Sequence, residues 1–291
     1  MADIVKAESC GNAFLFGEYA ALVGGPSIIA GLSGPLTVLA RKAEKNRITS
    51  EEFKEPTMVG EVVSFFKEKY NIQENICLKI VSSVPAKKGF GSSDACIVST
   101  YGALLKLFNE KTSKKKILSE LYSFKSKKKT CSIGALAATV YGGLVKVQSN
   151  KVVAKKQFQN SKKFLFVYSG LHGHGVIKEF LQMYERETKC KQLISSMNTI
   201  TSTAWSTLRS EHIGELMNEY QELFEFIKAS NHKMNSLIDS SKKAGACGAK
   251  ISGGGAGDCI VAYAPKNLDS FEKKNECYRF GHTAGFSVTK I

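Results

Sequence analysis

The chain has 291 residues, 43% of them hydrophobic, and a formal net charge of +15. That length holds one large domain or two medium ones, and that apolar content sustains a real core and excludes global disorder. No apolar run reaches the length of a bilayer span, and the opening "MADIVKAESCGNAF" lacks the basic start and apolar core of a signal peptide, so a cytoplasmic protein without a membrane partner is expected. The eight cysteines are scattered singly with no CxxC pair, which points to free thiols rather than a zinc site or disulfide framework. The basic excess lies in short runs, "KKK" at 114–116 and "KSKKK" at 125–129 among them. Without any nucleic-acid module, these read as a solvated face or as attraction for anionic small-molecule substrates, and no specific nucleic acid is expected.

Along the chain, residues 8–32 alternate apolar stretches with turns at Gly17, Gly24, Gly25 and Pro26. "SGPLTVLARKA" and "NRITSEE" read as strands, and "TMVGEVVSFFKEKYN" has the apolar spacing of a helix. "ICLKIVSSVP" is a strand stopped by Pro85. "DACIVSTYGALLKLFNEK" is a helix packed on both sides, and "SKKKILSELYSF" is another. "ALAATVYGGLVKVQSN" passes from small residues through Gly142 and Gly143 into a strand, and a domain boundary is expected near residue 150, giving domains 1–150 and 151–291. Beyond it come the strand "KFLFVYSG", long helical material over 176–230 with at least two breaks, the helix "NSLIDSSKKAG", a strand–glycine loop–strand in "ACGAKISGGGAGDCIVAYAP", the helix "DSFEKKNECYRF" and the closing strand "FSVTKI". The mixture is α+β rather than strict βαβ alternation.

Two glycine loops carry the chemistry. "KKGFGSSD", between a strand and a helix, suits phosphate. Gly89 and Gly91 let the backbone approach closely, the first N–H groups of the helix lack internal partners, and the helix dipole is positive there. Ser92 and Ser93 add hydroxyls that can cap the helix, bind phosphate or ligate Mg²⁺. The alternative is a plain Ser-capped helix, and the spacing is not that of a Walker loop. "GAKISGGGAGDC" has five glycines in twelve residues. Such a loop contributes no stability, and close backbone approach to a ligand is the better explanation.

The order of these blocks resembles the GHMP kinases, particularly their mevalonate-pathway branch (mevalonate and phosphomevalonate kinases). "GNAFLFGEYAALVGGPSIIAGL" resembles the family's opening motif, "VPAKKGFGSSDACIV" its nucleotide loop, "GALAATVYGGLVKV" its xDxAAsxYGG segment, and "GAKISGGGAGDCIVAY" its third motif. The resemblance implies a ribosomal-protein-S5-like N-terminal domain and a ferredoxin-like C-terminal domain, with the active site in the cleft between them. It implies ATP and Mg²⁺, with Lys87, Lys88, Gly89, Gly91, Ser92 and Ser93 holding nucleotide phosphates and Ser93 a metal ligand. Gly253, Gly254, Gly255 and Gly257 shape the substrate side, and Glu18 and Tyr19 line the site.

Three departures stand out. The family's aspartate aligns with Ala135, its accompanying lysine with Asn12, and in "YSGLHGHGV" His172 and His174 replace the usual Ser or Thr region. Losing both charges of an ion pair costs less than losing one. The catalytic set expected here is Asp94, Ser93 and Glu18. Asp94 is either a first-turn acid favoured by the helix dipole or a second Mg²⁺ ligand beside Ser93. Asp258 and Glu120 are further acids of interest, and His172 and His174 are candidate substrate contacts or exposed loop residues. The expected activity is phosphorylation of mevalonate or phosphomevalonate. The alternatives are a diphosphomevalonate decarboxylase-like or other reaction on the same fold, and a nucleotide-binding pseudokinase. Oligomeric state stays open, a homodimer included.

Overall fold

The computed structural model describes residues 3–52, 57–126, 133–173, 176–208 and 210–291. Strand β1 (Val5–Phe16) leads through the short helix α1 (Glu18–Leu22) into β2 (Ser27–Ala43), which β1 pairs antiparallel from Val5 opposite Ala40 to Phe16 opposite Ile28. The two segments separated by Ser33 and Gly34, which read as distinct stretches in the sequence, form one strand. The register shifts between Cys10 and Gly11, and Gly34 takes φ 105°, so the irregularity is absorbed as a bulge rather than a turn. β3 (Arg47–Ser50), α2 (Thr57–Tyr70) and β4 (Asn75–Ser82) follow, with β3 parallel and β2 antiparallel to β4. Next come α3 (Ser92–Leu107), α4 (Lys114–Ser126) and α5 (Ile133–Tyr141), then the hairpin β5 (Leu144–Gln148) and β6 (Lys151–Lys156).

The second layer opens with β7 (Phe164–Tyr168). The helices α6 (Val176–Arg186), α7 (Thr188–Thr207), α8 (Ile213–Phe226) and α9 (His232–Lys243) lead to β8 (Gly248–Ser252) and β9 (Cys259–Tyr263). The chain closes with α10 (Asp269–Glu272), β10 (Cys277–Tyr278) and β11 (Ser287–Lys290). The helix expected over 269–280 therefore lasts one turn before β10 pairs with β7. The first sheet runs β11-β1-β2-β4-β3, with β5 and β6 added beside β2; the second runs β10-β7-β9-β8. Because β6 and the C-terminal β11 both belong to the first sheet, the sheets divide after β6, beyond the boundary expected at 150, and the last strand crosses back. One continuous hydrophobic core joins the layers.

Helix α3 lies at the centre and is buried along almost its whole length. Its small residues permit that approach. Ser9 Oγ donates to Ala95 O at 2.8 Å, Ser99 Oγ donates to Leu36 O at 3.0 Å, and Gly102 leaves room for the Phe286 ring. Among the described residues, no helix is long and apolar enough to cross a membrane.

The tail is locked where Gly142 (φ 70°) and Gly285 (φ 77°) pack backbone to backbone, and a Cβ on Gly142 would collide with Gly285 N and Thr283 O. Gly142→Ala is expected to destabilise the fold by about 2–4 kcal/mol, combining the left-handed backbone cost with overpacking. A lowered midpoint in urea unfolding is the readout.

Candidate active site

After β4 the chain turns through three left-handed residues, Lys87 (φ 58°), Gly89 (φ 81°) and Gly91 (φ 69°). Gly91 is the N-cap of α3 and provides no side-chain cap. The N–H groups of Ser92, Ser93 and Asp94 thus open the helix without intrahelical acceptors, as phosphate binding requires. Ser93 Oγ donates to Met58 Sδ at 2.8 Å instead of capping the helix. The loop borders a cavity of about 470 Å³ lined by Lys87, Gly89, Ser92, Ser93, His172 and Asp258. Of the two expected lysines, only Lys87 faces this space. Lys88 is ion-paired with Glu276 and hydrogen-bonded to Tyr278 Oη at 3.1 Å. Its hydrogen bonds to Glu276 and Tyr278 raise its pKa. Lys88 therefore ties the loop to the second sheet.

A second cavity of about 450 Å³ is lined by Glu18, Tyr19, Lys125, Ala135, Gly253 and Gly254, with an apolar wall from Phe14, Leu22, Ile177 and Leu181. Left-handed Gly17 starts α1 and turns Glu18 into the core, where its carboxylate meets Lys250 Nζ at 2.5 Å. Lys250 is fully buried against the rings of Phe16, Tyr220 and Phe224. Burial pushes the Glu18 carboxyl up and the Lys250 ammonium down, and each partner's charge opposes the other's shift. Tyr19 Oη donates to Gly254 O at 2.6 Å, and Ser252 Oγ donates to Phe14 O at 2.8 Å. Glu18 and Tyr19 border the cavity, but their polar atoms are engaged in joining the first and third motifs. Gly255 and Gly257 abut Ala229 and Gly173 and hold the loop rather than line this cavity.

Asp94 departs from the metal-ligand expectation. Its carboxylate accepts from Asn12 Nδ2 at 3.1 Å and from Lys125 Nζ at 2.5 Å, while Ser93, one residue earlier on the helix, faces the phosphate cavity. A divalent ion on Asp94 would stand against the Lys125 ammonium, so the joint Ser93–Asp94 metal site is disfavoured. Asn12 Nδ2 also donates to Thr139 Oγ1 at 3.0 Å, beside the segment where Ala135 stands. His172 lies 3.9 Å from Asp258 on the cavity beside the Gly89–Ser93 loop, not on the one lined by Glu18 and Tyr19, and His174 lies outside the described residues. Glu120 is occupied by Tyr70, Tyr101 and Lys69. Among the described residues, no cluster of three or more His, Cys, Asp or Glu side chains is placed to hold a metal. Lys125 is the residue that sequence reading missed; it sat inside a basic run that looked like solvated surface.

The sequence models of the GHMP kinases N terminal domain and the GHMP kinases C terminal domain match residues 57–143 and 208–280, together more than half of the chain. The chain belongs to the GHMP kinase family. This GHMP kinase is 26% identical over 284 residues to the mevalonate kinase of Methanothermobacter thermautotrophicus, covering 91% of each chain. It is 27% identical to that of Pyrococcus furiosus, covering 90% of this chain and 89% of the relative. The crystal structure of Methanococcus jannaschii mevalonate kinase superposes with a TM-score of 0.82 at 19% identity, over 95% of this chain and 98% of that one.

Replacing Lys250 with Met strands the Glu18 carboxylate and is expected to cost about 3–5 kcal/mol. The Glu18→Gln/Lys250→Met double variant is expected to recover more than half of that loss. Denaturant unfolding of the full double-mutant cycle checks the coupling.

Proposed function

We propose that the chain transfers the γ-phosphoryl group of ATP to a hydroxyl of mevalonate. One observation carries this reading: the start of α3 serves both cavities. Ser92 and Ser93 line the phosphate side, and Asp94 reaches the acceptor side through Lys125. Phosphoryl transfer depends chiefly on placing donor and acceptor in line and on stabilising charge, and this arrangement puts the two sites on either side of one helix end. Two mevalonate kinases that match it over about nine-tenths of their length support the same reading.

Mg²⁺ accompanies ATP as part of the substrate. The Ser93 hydroxyl and the Asp258 carboxylate, both on the phosphate cavity, fit such an ion without the opposing ammonium that Asp94 faces. When bound, the ion neutralises phosphate charge. Lys87 and the open N–H groups of α3 then orient the phosphate chain.

The acceptor cavity favours mevalonate over phosphomevalonate. Lys125 is the one basic side chain among its described lining residues, and its wall is largely apolar. A branched acid with one carboxylate and a methyl group suits that lining, with Ser126, Tyr122 and Asn150 as neutral donors.

ADP release by the purified protein with Mg-ATP, measured in parallel with mevalonate, phosphomevalonate and mevalonate diphosphate, tests this. Release dependent on mevalonate is expected. Release with another acceptor alone would reassign the substrate. No release from a sample that binds ATP would leave the pseudokinase alternative.

A further inference from the structure

A kinase cleft needs positive charge where the phosphoryl group leaves ADP and meets the acceptor oxygen. The resemblance places a lysine and an aspartate at positions 12 and 135, and here those are Asn12 and Ala135. Both neutral replacements nevertheless stand beside a charged pair drawn from other elements. Asp94, on the first turn of α3, holds Lys125 from the last turn of α4 at 2.5 Å. Asn12 donates to the other oxygen of the same carboxylate at 3.1 Å. The Lys125 side chain is 24% exposed and Asp94 only 10%. Lys125 lines the acceptor cavity together with Ala135, while Asp94 lies behind it. The cavity's one acid among its described lining residues, Glu18, is committed to Lys250.

We propose that Lys125 is a catalytic residue of this kinase. It replaces the missing lysine as the cation that meets the transferring phosphoryl group, with Asp94 as its positioning residue and Asn12 as the brace that holds Asp94. The inference rests on the kinase reading given above. In the transfer, the acceptor oxygen forms its bond to the γ-phosphorus as the bond from that phosphorus to the bridging oxygen breaks. ADP leaves with the bridging oxygen and its electron pair. The hydroxyl proton passes to a non-bridging oxygen of the transferred group and then to solvent, so no carboxylate at position 135 is required. The Lys125 ammonium stabilises negative charge on the equatorial oxygens throughout and takes no part in the proton balance.

Asp94 has two effects on that lysine. It fixes a flexible four-carbon side chain beside the cleft, and its carboxylate pairs with the ammonium charge. The Asn12 amide satisfies the second carboxylate oxygen without adding a competing cation. A lysine at position 12 would instead compete with Lys125 for Asp94. The substitutions at 12 and 135 and the presence of Asp94 and Lys125 are therefore one coupled exchange of charges.

The test compares Lys125→Met, Lys125→Arg and Asp94→Asn with the unaltered protein. It measures kcat and KM for ATP and mevalonate, affinity for a non-hydrolysable ATP analogue, and the thermal midpoint. Lys125→Met is expected to lower kcat about 10²–10³-fold, the loss typical of one transition-state donor, with analogue affinity changed less than about threefold. Lys125→Arg is expected to restore kcat to within about tenfold of the unaltered protein, because it keeps the charge but not the point geometry. Asp94→Asn should reduce kcat with little change in either KM. If the unaltered protein is active and Lys125→Met keeps its kcat within about threefold, the assignment fails while the kinase reading stands. If Lys125→Met loses analogue binding and thermal stability in step with activity, and Lys125→Arg restores none of them, the residue is structural and the assignment also fails. If the unaltered protein releases no ADP with any acceptor, the kinase reading fails and this inference with it.

Discussion

The contact between the phosphate loop and strand β1 positions everything else in the cleft. Asn12 N–H donates to Phe90 O at 2.9 Å, and left-handed Gly91 sits over the Asn12 side chain with no space for a Cβ. This contact fixes the start of α3 against the longest strand pair of the first sheet. The direction of the open helix N–H groups follows from it, and helix geometry then turns successive side chains by about 100°. Ser93 then faces one cavity, and Asp94 reaches the other through Lys125. A side chain at position 91 would lift the helix away from β1 and move both together. Burial of α3 along nearly its full length makes that placement rigid, because any tilt would expose apolar surface on several faces at once.

The second constraint joins the two layers across the cleft. The opening motif meets the third through the Glu18–Lys250 ion pair and the Tyr19 hydroxyl on Gly254 O, and meets α8 where the Tyr220 hydroxyl accepts from Gly17 N–H at 3.1 Å. A buried ion pair is a poor source of net stability, since desolvation offsets most of its attraction. Its value here is geometric. An uncompensated charge at either position would be severe, so the pair enforces one relative placement of α1 and β8. The glycine loop that follows β8 is thereby held against the cavity that Gly253 and Gly254 line. Lys88 and Glu276 make a second tie between the phosphate loop and the outer strand β10.

The secondary structure was largely legible because hydrophobic period and glycine placement are local signals. The helical stretch expected over 176–230 is broken twice, and the strand–loop–strand around Gly253 and the helix after "GFGSS" appear where the pattern puts them. The misreadings have tertiary causes. β2 continues through Ser33 and Gly34 because β1 and β4 flank it and supply the ladder that a glycine and a proline discourage locally. The run "DSFEKKNECYRF" has helical composition, but pairing with β7 captures Cys277 and Tyr278 as a strand. Strand β6 went unread because three of its six residues are lysines, and only the hairpin with β5 makes it a strand.

The sequence by itself determined the architecture, the two glycine loops and the absence of charge at positions 12 and 135. Those are properties of residue type and order along the chain. Only the tertiary structure decided which charges occupy the cleft. Lys88 and Lys125 look alike as members of basic runs, yet one is drawn outward to Glu276 and the other inward to Asp94. Asp94 and Lys125 are 31 residues apart, on two helices that meet only after α3 has packed into the sheet. Electrostatic pairing depends on distance in space and on local burial, and neither can be read from the spacing of charges in a sequence.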